Sequence, residues 1–144
     1  MLLSTLAKFV PIRQLRFSVQ VCSVVGIFAK DTLICLLGPV GLLTMAVAKA
    51  FGAKRIIAID IVQSRLEFAK SYAATDIYLP SAKSQSDTNM LYSRKNAADM
   101  KEKLGLEDRG EKGVDIAVDA SGAEVSIQTS ICLAKEGGQL VVRH

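Results

Sequence analysis

Gly38 and Gly41 stand three positions apart behind a run of apolar side chains, and a carboxylate, Asp60, follows about 20 residues later. That order suits the chemistry of holding a dinucleotide. One glycine lets the backbone approach a pyrophosphate. Another lets a helix pack closely on the strand before it, and the helix N-terminus offers N–H groups and positive potential to the anion. A carboxylate closing the second strand can accept both hydroxyls of a ribose and would repel a 2′-phosphate, so the cofactor expected is NAD. In the full G-x-G-x-x-G pattern another glycine comes first, and here Leu36 occupies its place. If that position needed φ > 0, leucine would cost about 1–2 kcal/mol. Two glycines alone are a weak signal, because glycines punctuate many βα turns. Asp60 adds weight, although an acid there could also cap the next helix. On periodicity alone Arg65 reads as a solvated residue at a helix start.

These residues need a frame. Thr32–Leu37 is a continuous apolar run, as in a parallel strand buried on both faces. Gly38-Pro39-Val40-Gly41 makes the turn, and a helix is predicted from about Pro39 to Phe51, with proline suited to its start and Gly52 to its exit. Arg55–Asp60 is the second strand, and Ser64-Arg65-Leu66-Glu67 has capping-box spacing ahead of a helix to about Tyr72. Thr75–Leu79 is a short third strand, residues 80–87 a polar loop, and Thr88–Leu104 a helix whose thin apolar stripe places it on the outside. After a charged loop, Val114–Asp119 is the fourth strand. Ser121-Gly122-Ala123-Glu124 repeats the capping-box spacing, and Ile127, Ile131 and Ala134 mark the inner face of the next helix. Gly137-Gly138 is expected to stop that helix, and Gln139–Val142 to begin a fifth strand. Strands alternating with helices predict an α/β, doubly wound, Rossmann-like parallel sheet, incomplete at about five strands, with helices on both faces.

Composition fits one globular domain. The chain has 144 residues, half of them apolar, and a formal charge of +4. Residues 1–30 hold Lys8, Arg13, Arg16 and Lys30 and no acid, which leaves the rest close to neutral. No basic patch with interleaved aromatics appears, so nucleic acid is not an expected partner. Residues 1–30 read as an N-terminal arm, irregular or targeting in character, and residues 31–144 as a truncated dinucleotide-binding domain. The arm resembles a mitochondrial transit sequence in composition, but Pro11 interrupts an amphipathic helix there, so a cytoplasmic location is expected with a mitochondrial one as the alternative. Val19–Ala29 is too short to span a bilayer. Cys22, Cys35 and Cys132 are odd in number and set among apolar residues, which fits buried free thiols. With His144 the only histidine, no metal ligands and no catalytic residues are expected in this chain.

Taken together, Gly38-Pro39-Val40-Gly41-Leu42-Leu43, AVAKAFGAKRIIAID, Arg65-Leu66, VDASGAE and Gly137-Gly138 resemble the cofactor domain of the medium-chain dehydrogenases. They resemble the polyol branch most, the sorbitol and xylitol dehydrogenases. The resemblance covers about Asp31 to Val142. It implies NAD-dependent oxidation of a secondary alcohol on a polyol, with Val40 meeting the cofactor through its backbone, Asp60 holding the ribose and Arg65 lying beside the adenosine. Ala120 and Ser121 match a region lining the cofactor cleft, and Ser121 is equally placed to cap a helix. The family carries its catalytic zinc in a separate domain that nothing in residues 1–30 resembles, and its sheet continues past a fifth strand. The chain alone is therefore expected to be inactive. Open alternatives are a non-catalytic NAD-binding module and a non-functional gene fragment, either associating through an exposed sheet edge. A methyltransferase shares the strand–glycine–acid order, but the GPVG turn argues against it.

Overall fold

A computed structural model describes residues 32–36 and 39–142. The arm over residues 1–30, Gly38, Cys22 and His144 lie outside the described residues, as does the thiol of Cys35.

Among the described residues, five strands alternate with four helices: β1 (Thr32–Leu36), α1 (Pro39–Ala50), β2 (Arg55–Ile59), α2 (Gln63–Tyr72), β3 (Asp76–Tyr78), α3 (Asn89–Leu104), β4 (Val114–Asp119), α4 (Glu124–Leu133) and β5 (Ala134–Val142). All pairings are parallel, in the order β3-β2-β1-β4-β5. The order reverses at β1, which lies between β2 and β4, and that reversal is where an open α/β sheet parts to form a crevice.

The two apolar clusters sort the helices onto opposite faces. Met45 and Ala48 of α1 and Leu66 and Ala69 of α2 pack on Ile56, Ala58, Ile116 and Val118. Ala97 and Met100 of α3 and Leu133 of α4 pack on Ile57, Ile59, Val114 and Ala117. Strand β2 thus feeds alternate residues to the two faces, the period-2 rule at work in a doubly covered strand.

Leu36 is the last residue of β1 and pairs with Ile59 on one side and Asp119 on the other. Strand pairing keeps its backbone extended, so the penalty expected for a positive φ does not arise there.

Both capping boxes are displaced. Helix α2 begins at Gln63 with Val62 as its N-cap, and Ser64 lies inside it. The Asp60 carboxylate has already turned the chain by accepting the Val62 N–H at 2.9 Å, and Glu67 accepts from the Gln63 amide at 3.1 Å instead. Helix α4 begins at Glu124, two residues later than a Ser121 cap would place it. The inner face of α4 is also different from the one expected: Thr129, Ser130 and Leu133 are buried while Ile131 is exposed. Its apolar residues ring the whole helix, so their period does not select a face.

Gly137-Gly138 does not stop α4. The helix ends at Leu133, β5 starts at Ala134, and the glycines sit in an irregularity where pairing passes from Val114↔Ala134 to Ile116↔Gln139. A Cβ on Gly138 would meet the Val114 carbonyl oxygen at 2.9 Å and that of Lys135 at 3.0 Å, so backbone presses on backbone there. Lys135 pairs with Asp115 beside it.

Candidate functional site

The site residues gather at the C-terminal ends of the strands. Asp60 follows β2 directly, and its side chain is 5% exposed. Burying a carboxylate demands partners, and Asp60 is only half supplied. Oδ1 accepts the Val62 N–H at 2.9 Å, whereas Oδ2 is buried with no hydrogen-bond partner. The nearest charge to Oδ2 is the Arg65 guanidinium at 3.7 Å, beyond hydrogen-bonding reach. Arg65 itself is largely exposed, on the first turn of α2, so this ion pair adds little to stability.

A cavity of about 370 Å³ opens beside Asp60, within the range of small-molecule sites. Ile59, Asp60, Ile61 and Arg65 form one side, and Ser121 and Ala123 after β4 form the other. Its floor lies between α3 and α4, where Tyr92 and Asn96 face Val125, Ser126 and Thr129. Tyr78 closes the end: its hydroxyl donates to Asp99 Oδ2 at 2.6 Å. Burial, then the Asp99 carboxylate, push the Tyr78 phenol well above its usual range. In turn the Lys103 and Tyr78 hydrogen bonds hold the Asp99 carboxyl below the usual carboxylate range. Tyr78 is therefore a neutral wall at any physiological pH.

Pro39, Val40 and Gly41 form the first turn of α1, with Val40 and Gly41 buried. This turn begins beyond β1, at the reversal of strand order, and holds no acidic residue. A helix start in that place, with its unshared N–H groups, suits an anion. Asp60 and Arg65 thus meet at one cavity, while Pro39, Val40 and Gly41 stand at the neighbouring strand end.

The sequence reading missed the floor and one acid. Asp119 repeats the device of Asp60: it ends a strand, and its Oδ1 accepts the Ser121 N–H at 3.0 Å and the Ser121 hydroxyl at 2.7 Å. Its Oδ2 is likewise buried without a partner. The signal was available, since RIIAID and VDIAVD both end in aspartate. Ser121 is accordingly tied to Asp119, and its Oγ accepts the Ala123 N–H at 3.2 Å just ahead of α4.

Among the described residues no three His, Cys, Asp or Glu side chains gather where a metal ion could be held. Cys132 is a half-buried free thiol on α4. The residues described do not fit a zinc centre, and no step through zinc is derived from them. Nor is any described helix long and apolar enough to cross a membrane.

The pattern of zinc-binding dehydrogenases matches residues 39–143. The chain belongs to the zinc-binding dehydrogenase family. Within the family it is 47% identical over 104 residues to a probable D-xylulose reductase A of Aspergillus terreus, a match covering 72% of this chain and 26% of the relative. The D-xylulose reductase A of Aspergillus oryzae is 46% identical over the same length. The chain thus spans about a quarter of the length of these relatives. These matches bear out the resemblance to the polyol branch. Among solved structures, benzyl alcohol dehydrogenase from Acinetobacter calcoaceticus superposes with a TM-score of 0.60 at 27% identity, covering 94% of this chain and 35% of that one. A zinc-binding dehydrogenase from Sinorhizobium meliloti, bound to NADP, has a TM-score of 0.60 at 23% identity over 92% of this chain and 38% of its own, a likeness of fold. The Rossmann-like architecture expected from the sequence is upheld.

Proposed function

We propose that this chain is the NAD-holding part of a polyol dehydrogenase-like oxidoreductase. The observation that carries the reading is Asp60 Oδ2, a buried carboxylate oxygen with no hydrogen-bond partner at the mouth of a cavity. Ribose hydroxyls would supply the missing donors. With Oδ1 taken by Val62, Oδ2 accepts the 2′-hydroxyl and the negative charge disfavours a 2′-phosphate, so NAD is preferred to NADP. Arg65 flanks the adenosine. Gly38, Val40 and Gly41 offer backbone N–H groups to the pyrophosphate, and Pro39, which has no N–H, fixes the start of the helix. When bound, NAD supplies the hydride acceptor for a secondary alcohol, and this chain's residues bind and orient it.

Calorimetric titration with NAD and NADP tests the reading. Heat with NAD and at least tenfold weaker binding of NADP are expected. No heat with either, from a protein whose circular dichroism shows it folded, would refute it. The 144 residues alone are proposed to lack turnover, because they span 26% of the length of their D-xylulose reductase relatives. NAD reduction with sorbitol or xylitol, zinc added, would overturn that. A polyol is the substrate proposed for the full-length relatives' activity. The preferred location is cytoplasmic, and self-association through a sheet edge is tested by sedimentation.

A further inference from the structure

Asp119 closes β4 and is fully buried. Its backbone pairs with Leu36 of β1 on one side and with Val142 of β5 on the other. It stands behind the cavity side formed by Ser121 and Ala123, for its Oδ1 accepts the Ser121 N–H at 3.0 Å and the Ser121 hydroxyl at 2.7 Å. Oδ2 is buried with no hydrogen-bond partner. None of the ion pairs among the described residues includes Asp119.

The turn does not need the charge. One neutral amide oxygen has two lone pairs and can accept both bonds from Ser121, so an asparagine would turn the chain equally well. Bonds to Oδ1 spread the negative charge and leave it uncancelled. A buried carboxylate without a cation is costly. Asp60 is better placed, because the Arg65 guanidinium lies 3.7 Å from it. The charge of Asp119 therefore calls for a cation that arrives with the ligand.

Strand order says which end of a dinucleotide meets that charge. With a ribose at Asp60 beyond β2 and the pyrophosphate at the α1 turn beyond β1, the other half falls on the β4 side of the reversal. That half is the nicotinamide. Its oxidised ring carries the one positive charge in NAD, and the reduced ring of NADH is neutral. We infer that Asp119 is a specificity-determining residue whose buried charge favours the oxidised dinucleotide over the reduced one. The inference rests on the proposed NAD site. The effect needs no contact: two unit charges about 10 Å apart, at an effective dielectric of about 20, attract by roughly tenfold in affinity.

The test is calorimetry on the full chain with NAD and with NADH, for wild-type and Asp119→Asn protein. Asparagine keeps the oxygen that receives Ser121 and removes the charge. It should weaken NAD by about three- to tenfold and leave NADH within about twofold, so that the ratio of the two affinities falls. A purely structural role would weaken both ligands by one factor, and that result would overturn the inference while leaving the NAD site standing. Should Asp119→Asn not fold, wild-type protein decides: it should bind NAD at least about threefold more tightly than NADH, and NADH binding as tightly as NAD, or more tightly, would overturn the inference. Binding of neither dinucleotide by folded protein would overturn the NAD site as well.

Discussion

Replacing Asp60 by asparagine separates its two roles. Oδ1 supports the fold by accepting the Val62 N–H at 2.9 Å, and an amide oxygen can take over that bond. Oδ2 has no hydrogen-bond partner in the protein, only the exposed Arg65 guanidinium at 3.7 Å, so its replacement by NH₂ removes a buried carboxylate oxygen at the loss of one weak ion pair. Folding stability should therefore change by less than about 1 kcal/mol, or rise. Binding should behave differently. A hydrogen bond to a charged group contributes about 1.5–3 kcal/mol, and each 1.4 kcal/mol is tenfold in affinity. Losing the charged acceptor for the 2′-hydroxyl should weaken NAD by roughly 10- to 100-fold. NADP, no longer facing a carboxylate, should bind as well as before or better. Titration calorimetry with both dinucleotides gives the ratio, and a thermal melt on the same samples gives the stability. Unchanged NAD affinity in a folded Asp60→Asn protein would refute the ribose assignment. A loss of affinity with an equal loss of melting temperature would show that Asp60 matters only for the turn.

Other consequences are simpler to measure. Gly138→Ala should destabilise the fold by about 1–3 kcal/mol, read as a lower midpoint in urea, because the added Cβ meets the carbonyl oxygens of Val114, Lys135 and Asp115 at 2.9, 3.0 and 3.2 Å. Thr88→Ala should cost about 1 kcal/mol in the same assay, since Thr88 accepts the Leu91 N–H at the start of α3. Burial raises the Asp76 carboxyl, but hydrogen bonds from Arg55 and Thr75 outweigh it and hold the group below its ordinary value. Its contribution to stability is thus complete above the unfolded value of about 3.9 and is lost as pH falls through the lower folded value. Asp76→Asn should flatten the stability profile below about pH 4 and leave its slope near pH 7 unchanged, as followed by melting temperature against pH.

How much was legible in the chain follows from where the information resides. The ends of β4 and the start of α1 were plain, because a buried parallel strand must be an unbroken apolar run and a helix there must start at the glycine turn. Asp60 was legible from its place at a strand end. Asn96 was not. The buried stripe of α3 is Ser93, Asn96, Ala97 and Met100, so half of it is polar and it reads as surface. Ser93 is there to bond the Val125 carbonyl at 3.1 Å across to α4, and only the packing of two helices distant in sequence brings Asn96 to the cavity holding Asp60. The Gly137-Gly138 pair was seen but misread. A helix stop and a strand irregularity use the same residue type, and the choice depends on Val114 and Asp115 lying against it.

The strand order has a temporal side. Leu33 of β1 pairs with Ile56 on one flank and with Ile116 on the other. The first partner arrives soon after β1 leaves the ribosome, and the second only after α2, β3 and α3 have been made. The β1–β4 seam therefore closes one of the longest loops in the sheet, a slow step by its entropy. The crevice opens along that seam. The nascent chain can complete the half bearing Asp60 early, yet the cavity lacks its other side until Ser121, Ala123 and α4 have been translated. Ligand-dependent protection from proteolysis should accordingly appear only in chains extended through Leu133, whatever the order in which their other elements fold.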